Sequence, residues 1–251
     1  MSGPGQFVWH DLMTPDVEAA KHFYTELFGW EIETWKPGEM DYPMIKAGGG
    51  YTGGIVRPEQ AMPAHWLGYV LVADADAAVA RAEKAGGKTY VPPTDIPEVG
   101  RFAVVADPQG AVVAPFQPAG EGPEAADPNA PGGFCWHELL TRDVEGAKAF
   151  YREVFGWDTA GTDMGPGGTY HLFKEGDTDV AGMMALPEGA GAPPSWLFYV
   201  AVANADATTA RARSLGATVH DEPRDVPNVG RFAVMVDPTG AAVAILGPSA
   251  A

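Results

Sequence analysis

The stretch "FVWHDLMTPDVEAAKHFYTELFGW" at 7–30 returns 127 residues later as "FCWHELLTRDVEGAKAFYREVFGW" at 134–157, with 16 of 24 positions identical. A second stretch, "PEVGRFAVVADPQGAVVA" at 97–114, returns at 227–244 as "PNVGRFAVMVDPTGAAVA", with 13 of 18 identical. Between these lies a third pair, "HWLGYVLVADADAA" (65–78) and "SWLFYVAVANADAT" (195–208). The order is kept and the spacing is far longer than a solenoid repeat, so the chain is two copies of one domain. The join, "PAGEGPEAADPNAPGG" at 118–133, is rich in Pro, Gly and acid and lacks apolar periodicity. That composition predicts a linker at 119–132 between domains at 1–118 and 133–251.

Each copy predicts the same element order. A short strand ends near Leu12. Thr14 or Asp16 can cap a helix, with Pro15 in its first turn. Val17, Ala20, Tyr24 and Leu27 recur on one helical face, and Gly29 stops the helix. "YPMIKA" and "GGIV" read as strands, as does "WLGYVLV". A second helix over 75–85 closes on Gly86-Gly87. "RFAVVA" and "AVVAPF" flank the turn "DPQG". The order is β-α-β-β-β twice per copy, so each domain is itself a pair of modules and the fold class is α+β.

Composition narrows the function. The 251 residues include 33 Asp and Glu against 16 Lys and Arg, for a net charge of −17. Such a surface repels phosphate backbones and argues against nucleic acid, while favouring cationic ligands. No apolar run approaches the ~20 residues of a membrane span, and "MSGPGQ" has neither the basic nor the apolar part of a signal peptide. A cytoplasmic location is the expectation. Cys135 is the single cysteine, which excludes an intrachain disulfide and a multi-cysteine zinc site.

"DVEAAKHFYTELFGW" together with "DPQGA" resembles the vicinal oxygen chelate superfamily, which includes glyoxalase I, extradiol dioxygenases and bleomycin-resistance proteins. The resemblance covers nearly all the chain outside the linker. In detail it is similar to a tandem-domain actinobacterial group labelled glyoxalase-like, "27 kDa antigen" or hydroxylase, which includes an accessory protein of anthracycline hydroxylation. The resemblance implies paired βαβββ modules whose sheets curl into an open cup. That fold hosts metalloenzymes and metal-free drug binders alike, so function must be argued from the site.

In metal-dependent members of the family a His ligand lies seven residues before the Asp that starts the helix. Counting back from Asp16 and Asp143 reaches Trp9 and Trp136, not His10 and His137. Strand side chains alternate faces, so Phe7, Trp9 and Asp11 should share one face and His10 and Leu12 the other; only a β-bulge would restore the phase. By the same comparison the second His position falls on Leu67, which His65 misses by two residues, and the Glu position on Ala114 and Ala244. The fourth lies in "TGGIV" or "VAGMM". None of these side chains ligates a divalent cation, so neither a metal nor any other cofactor is expected. His10 and His137 then read as hydrogen-bonded core residues on the helix side.

What the repeat preserves is an aromatic with an acid, Trp9 with Asp11 and Trp136 with Glu138. Tyr69 and Tyr199 sit at matched places, on the strand face of Leu67 and Leu197. Met44, Met183 and Met184 lie in the remaining strands, and Phe116 shares a face with Ala114. Aromatic, Leu and Met side chains around a carboxylate describe a small-molecule pocket; the alternative is that they simply fill the interior. The candidate ligand-binding set is Trp9, Asp11, Met44, Leu67, Tyr69, Phe116, Trp136, Glu138, Met183, Leu197 and Tyr199. Arg101 and Arg231, repeated in "VGRF", could hold a ligand anion but more simply pair with surface acids. His22, His171 and His220 are unmatched between copies.

The expected function is metal-free binding of a small aromatic or polyketide-like molecule, cationic ones included, for sequestration, resistance or assistance to an oxygenase in secondary metabolism. One alternative is a glyoxalase- or lyase-type enzyme with Asp11 or Glu138 as general base. Another is an antigen-like protein that binds a partner and no small ligand. The chain would act as a monomer, itself a pseudo-dimer, or as a homodimer, with no membrane partner.

Overall fold

The computed structural model describes residues 3–36, 41–164, 168–187 and 189–249. The first repeat runs β1 (Phe7–Met13), α1 (Val17–Phe28), β2 (Glu31–Trp35), β3 (Tyr42–Ala47), β4 (Gly50–Val56), β5 (His65–Leu71), α2 (Ala75–Lys84), β6 (Lys88–Ile96), β7 (Gly100–Ala106) and β8 (Val112–Pro118). The second runs β9 (Phe134–Thr141), α3 (Val144–Phe155), β10 (Asp158–Asp163), β11 (Thr169–Glu175), β12 (Thr178–Ala185), β13 (Ser195–Ala201), α4 (Ala205–Ser214), β14 (Thr218–Val226), β15 (Gly230–Val236) and β16 (Ala242–Gly247). Each repeat forms one open eight-stranded sheet, ordered β2-β3-β4-β1-β5-β8-β7-β6 and β10-β11-β12-β9-β13-β16-β15-β14. The α+β class and the paired βαβββ modules are as the sequence predicts.

Local chemistry sets the helix ends. Asp16 and Asp143 accept hydrogen bonds from the backbone N–H three residues on, and Asp74 and Asn204 do the same for α2 and α4; these are N-caps. Pro15 therefore precedes the cap instead of lying in the first turn. Gly29 and Gly156 end α1 and α3 in the left-handed region, at φ 71° and 79°, where a side chain would be strained.

Packing divides the chain differently from its repeats. One compact unit holds 1–9, 67–122 and 136–196, and the other 10–66, 123–135 and 197–251. Each unit thus joins one module of the first repeat to one of the second. In the second unit, Tyr24 of α1 donates to Asp237 of the "DPTG" turn at 2.9 Å and accepts from Trp66 Nε1 at 3.1 Å. Tyr24, Trp30, Trp66 and Phe134 pack ring on ring around this bond. In the first unit, Tyr151 of α3 donates to Asp107 of "DPQG" at 3.3 Å and accepts from Trp196 Nε1 at 3.0 Å. Tyr151, Trp157, Trp196 and Phe7 form the matching cluster. Burial holds both phenols well above their ordinary pKa, so they are donors at any physiological pH. The two motifs that decide the fold are therefore the two ends of one bond, exchanged between repeats.

Strand alternation does not extend to the first residue of β1 and β9. Phe7 and Phe134 join these aromatic clusters instead of the faces of Asp11 and Glu138, because tryptophans of the same unit draw them in. The segment read as a linker is also tied down. Tyr51 exchanges backbone hydrogen bonds with Glu124 and Ala126, and Gly132 donates to Ala201 while accepting from Trp30 Nε1. A Cβ on Gly50 would lie 2.4 Å from the Ala125 carbonyl carbon, so only glycine lets the segment approach.

Candidate functional site

β4 lies parallel to β1 with Asp11 opposite Gly54, and β3 lies antiparallel to β4 with Met44 opposite the same glycine. Asp11, Gly54 and Met44 therefore share one sheet face, and Tyr42, two residues before Met44, shares it too. Asp11 is buried. The Tyr42 hydroxyl donates to its Oδ1 at 2.5 Å. A Cβ on Gly54 would stand 2.2 Å from the Tyr42 hydroxyl oxygen, so the phenol lies across the strand where only a glycine leaves room.

The second repeat builds the same device in the first unit. Glu138 lies opposite Gly182, and Leu172 of β11 lies opposite that glycine in turn. Tyr170 hydrogen bonds Glu138, and Trp136 Nε1 donates to the Tyr170 hydroxyl at 2.8 Å. Burial, reinforced by the Glu138 charge, raises the Tyr170 pKa strongly. A Cβ on Gly182 would meet the hydroxyl oxygen at 1.8 Å. Here an indole, a phenol and a carboxylate form a chain in which each proton has an acceptor.

Tyr42 and Tyr170 are absent from the residues the sequence singles out. The signal was present, since "DYPM" and "TYHL" place a tyrosine at matched positions two residues before Met44 and Leu172. It becomes decisive only once each tyrosine is known to face a glycine. We expect Gly54→Ala to push the phenol off Asp11 and to cost about 1–2 kcal/mol of stability. Urea denaturation tests this, and an unchanged unfolding midpoint would mean that the phenol does not need the space over Gly54.

The remaining predicted residues are placed as follows. Trp136 and Glu138 are joined through Tyr170. Trp9 is half-buried. Leu67 and Tyr69 are buried, and the Tyr69 ring lies 6.3 Å from Phe116 and 6.1 Å from Phe102. Leu197 and Tyr199 are buried in the second unit, with Tyr199 6.3 Å from Phe232. Met183 is fully buried opposite Leu139, off the face of Glu138; Met184, opposite Leu140, shares that face. Phe102 and Phe232 are additions that the sequence reading missed.

His10 is buried, and its Nδ1 lies 3.0 Å from the Thr52 carbonyl. A carbonyl only accepts, so Nδ1 carries the proton. Its ring stacks on Phe134 at 4.0 Å, and His137 stacks on Phe7 at 4.1 Å. The β1–β4 register runs without a shift over His10–Met13, so no bulge there turns His10 to the face of Asp11. Arg101 grips Asp76 through two nitrogens and Asp95 through a third, and Arg231 grips Asp206 and Asp225 likewise. Both arginines serve surface ion pairs.

The metal positions of the fold do not fit a metal. Trp9, Leu67 and Ala114, with Trp136, Leu197 and Ala244 in the second repeat, offer no ligating atom, and the fourth position, in "TGGIV" or "VAGMM", has no carboxylate, His or Gln. Among the described residues no group of three His, Cys, Asp or Glu is arranged to hold a metal ion. Nor is any described helix long and apolar enough to cross a membrane. A groove of about 350 Å³ beside α3 and β10, lined by Glu145, Lys148, Arg152, Trp157 and Thr159, shares no residue with either acid–phenol pair.

These paired modules belong to a known class. Residues 6–114 and 134–245 each match the Glyoxalase/Bleomycin resistance protein/Dioxygenase superfamily, and the chain is a member of it. It is 39% identical over 254 residues to CFP32 of Mycobacterium tuberculosis, which bears a provisional glyoxylase name, covering 96% of this chain and 94% of that protein. It is 36% identical over 260 residues to the anthracycline biosynthesis protein DnrV of Streptomyces peucetius, covering 97% and 93%. Among solved structures, the Mn(II)-bound glyoxalase of Novosphingobium aromaticivorans matches with a TM-score of 0.64 at 18% identity, covering 97% of this chain and 81% of that one. The 2,2',3-trihydroxybiphenyl 1,2-dioxygenase of Sphingomonas wittichii RW1 matches at 0.65 and 14%, covering 98% and 91%. At such identities these structures share the fold alone.

Proposed function

We propose that the protein binds a small aromatic molecule bearing a hydroxyl or amino group, without a metal, through its acid–phenol pairs. The observation that carries this reading is the buried Asp11 carboxylate, held by the Tyr42 hydroxyl at 2.5 Å over a glycine. A carboxylate only accepts hydrogen bonds, so its partner in a ligand must be a donor. The half-buried Trp136, whose Nε1 donates to the Tyr170 hydroxyl, supplies flat apolar surface for an aromatic ring. The net charge of −17 favours cationic ligands over anionic ones at long range. Kinship with an anthracycline biosynthesis protein supports a polycyclic aromatic ligand and a role in secondary metabolism, either sequestering a product or assisting an oxygenase.

Titration with 2,3-dihydroxynaphthalene, followed by tryptophan fluorescence, tests the reading. Quenching with micromolar affinity is expected. Tyr42→Phe and Asp11→Asn should each weaken binding about tenfold, the loss of one charge-assisted hydrogen bond. No quenching in the wild type, or no change in either variant, would refute it.

A second reading is favoured by the same buried carboxylates and by the glyoxylase name of CFP32. Asp11 or Glu138 would act as general base, removing a proton from carbon beside a carbonyl. Turnover that persists in chelator and disappears in Asp11→Asn with Glu138→Gln would select this reading over simple binding.

A further inference from the structure

The C-terminal modules of the two repeats differ in where one cation is placed. On β14, Arg224 lies opposite Phe232 of β15, and Phe232 lies opposite Leu246 of β16. Tyr199 lies opposite Ala244, so Tyr199, Phe232, Leu246 and Arg224 share one sheet face. The register of β14 shifts between Asp221 and Arg224. Such a bulge re-aims the side chain that follows it. The Arg224 guanidinium lies over the Phe232 ring at 4.7 Å. In the first repeat, the same place opposite Phe102 holds Thr94, whose hydroxyl turns back to the Pro92 carbonyl. The aromatic pair is kept in both repeats, Tyr69 with Phe102 and Tyr199 with Phe232, but only the second carries a charge beside it.

We infer that Arg224 makes the Tyr199–Phe232 face of the second repeat selective for flat aromatic molecules bearing an acidic group, a carboxylate or phenolate. The inference rests on the reading that the protein binds aromatic rings. A guanidinium stacked on a ring keeps its N–H edge for a planar anion, in the bidentate geometry that Lys cannot offer. Its partner in the structure is Asp221, at 3.6 Å between exposed side chains. A pair of that kind is held weakly and yields to a ligand carboxylate. Arg231 on the neighbouring strand is unsuited to the task, being already clasped by Asp206 and Asp225. The ring contact also fixes where the cation sits, so an acidic group is read at one end of the aromatic face.

Calorimetric titration with 2-naphthoate and its neutral isostere 2-naphthamide tests the inference in the full-length protein. Naphthoate should bind the wild type more tightly than naphthamide, and the preference should shrink as salt rises. Arg224→Gln should weaken naphthoate about tenfold and change naphthamide less than twofold. Thr94→Arg should raise the number of naphthoate sites per chain from one to two. The inference falls if Arg224→Gln moves both probes alike or neither, even when naphthamide binds normally. If the wild type binds no naphthalene of either charge, the aromatic-binding reading fails as well.

Discussion

Asp237→Ala should lower the free energy of unfolding by about 1–3 kcal/mol, the cost of leaving a buried donor without its acceptor. The Asp237 side chain accepts from the Tyr24 hydroxyl, from the Thr239 hydroxyl, and from the backbone N–H groups of Thr239, Gly240 and Ala241. It therefore shapes its own turn and anchors a helix of the other repeat. Alanine leaves the proton of the buried Tyr24 hydroxyl without its acceptor, although the Tyr24 oxygen still accepts from the Trp66 indole N–H. Asp107→Ala should cost less, because its bond to Tyr151 is longer, 3.3 Å against 2.9 Å. The midpoint of urea unfolding reads both. A loss below 1 kcal/mol for Asp237→Ala would mean that the network contributes little.

The second large effect is a dependence on pH centred on His10. Burial lowers its pKa from 6.5 to about 4, against a smaller opposing effect of the Thr52 carbonyl. Between those values the unfolded chain binds a proton that the folded chain refuses. Stability conferred by neutral His10 is therefore complete above pH 6.5 and is lost as pH falls towards 4. At about 1.4 kcal/mol per pH unit, the loss across that window approaches 3 kcal/mol. His10→Gln keeps a donor for Thr52 and cannot titrate. The stability difference between wild type and variant should thus shift by about 3 kcal/mol, in the variant's favour, from pH 7 to pH 4. A difference that stays flat would place His10 in contact with water.

The helices and the inner strands were legible because caps, glycine stops and apolar periodicity are local signals. The edge strands were not. "EIETW" of β2 has two charged residues in five, and "KTYVPPTDI" of β6 carries two prolines, which only an edge strand accommodates. The acids at Asp11 and Glu138 were found by repetition, but their phenol partners were not. Linking Tyr42 to Asp11 requires the register of three strands, and β3 slips against β4 between Ile45 and Lys46. Repetition also could not reveal that Tyr24 bonds Asp237, since both repeats carry both groups and the pairing spans 213 residues. A sequence shows which parts are duplicated; which copy each part embraces is settled by packing.

That exchange bears on how the halves of this chain can change over time. A substitution at Tyr24 is tested against Asp237, and one at Asp107 against Tyr151. After a duplication, one copy is ordinarily at liberty to drift while the other keeps the old role. Here each copy is the other's mould. The Tyr–Asp ends of the repeats must be inherited in step, and novelty is confined to positions that face neither clasp, such as Thr94 and Arg224.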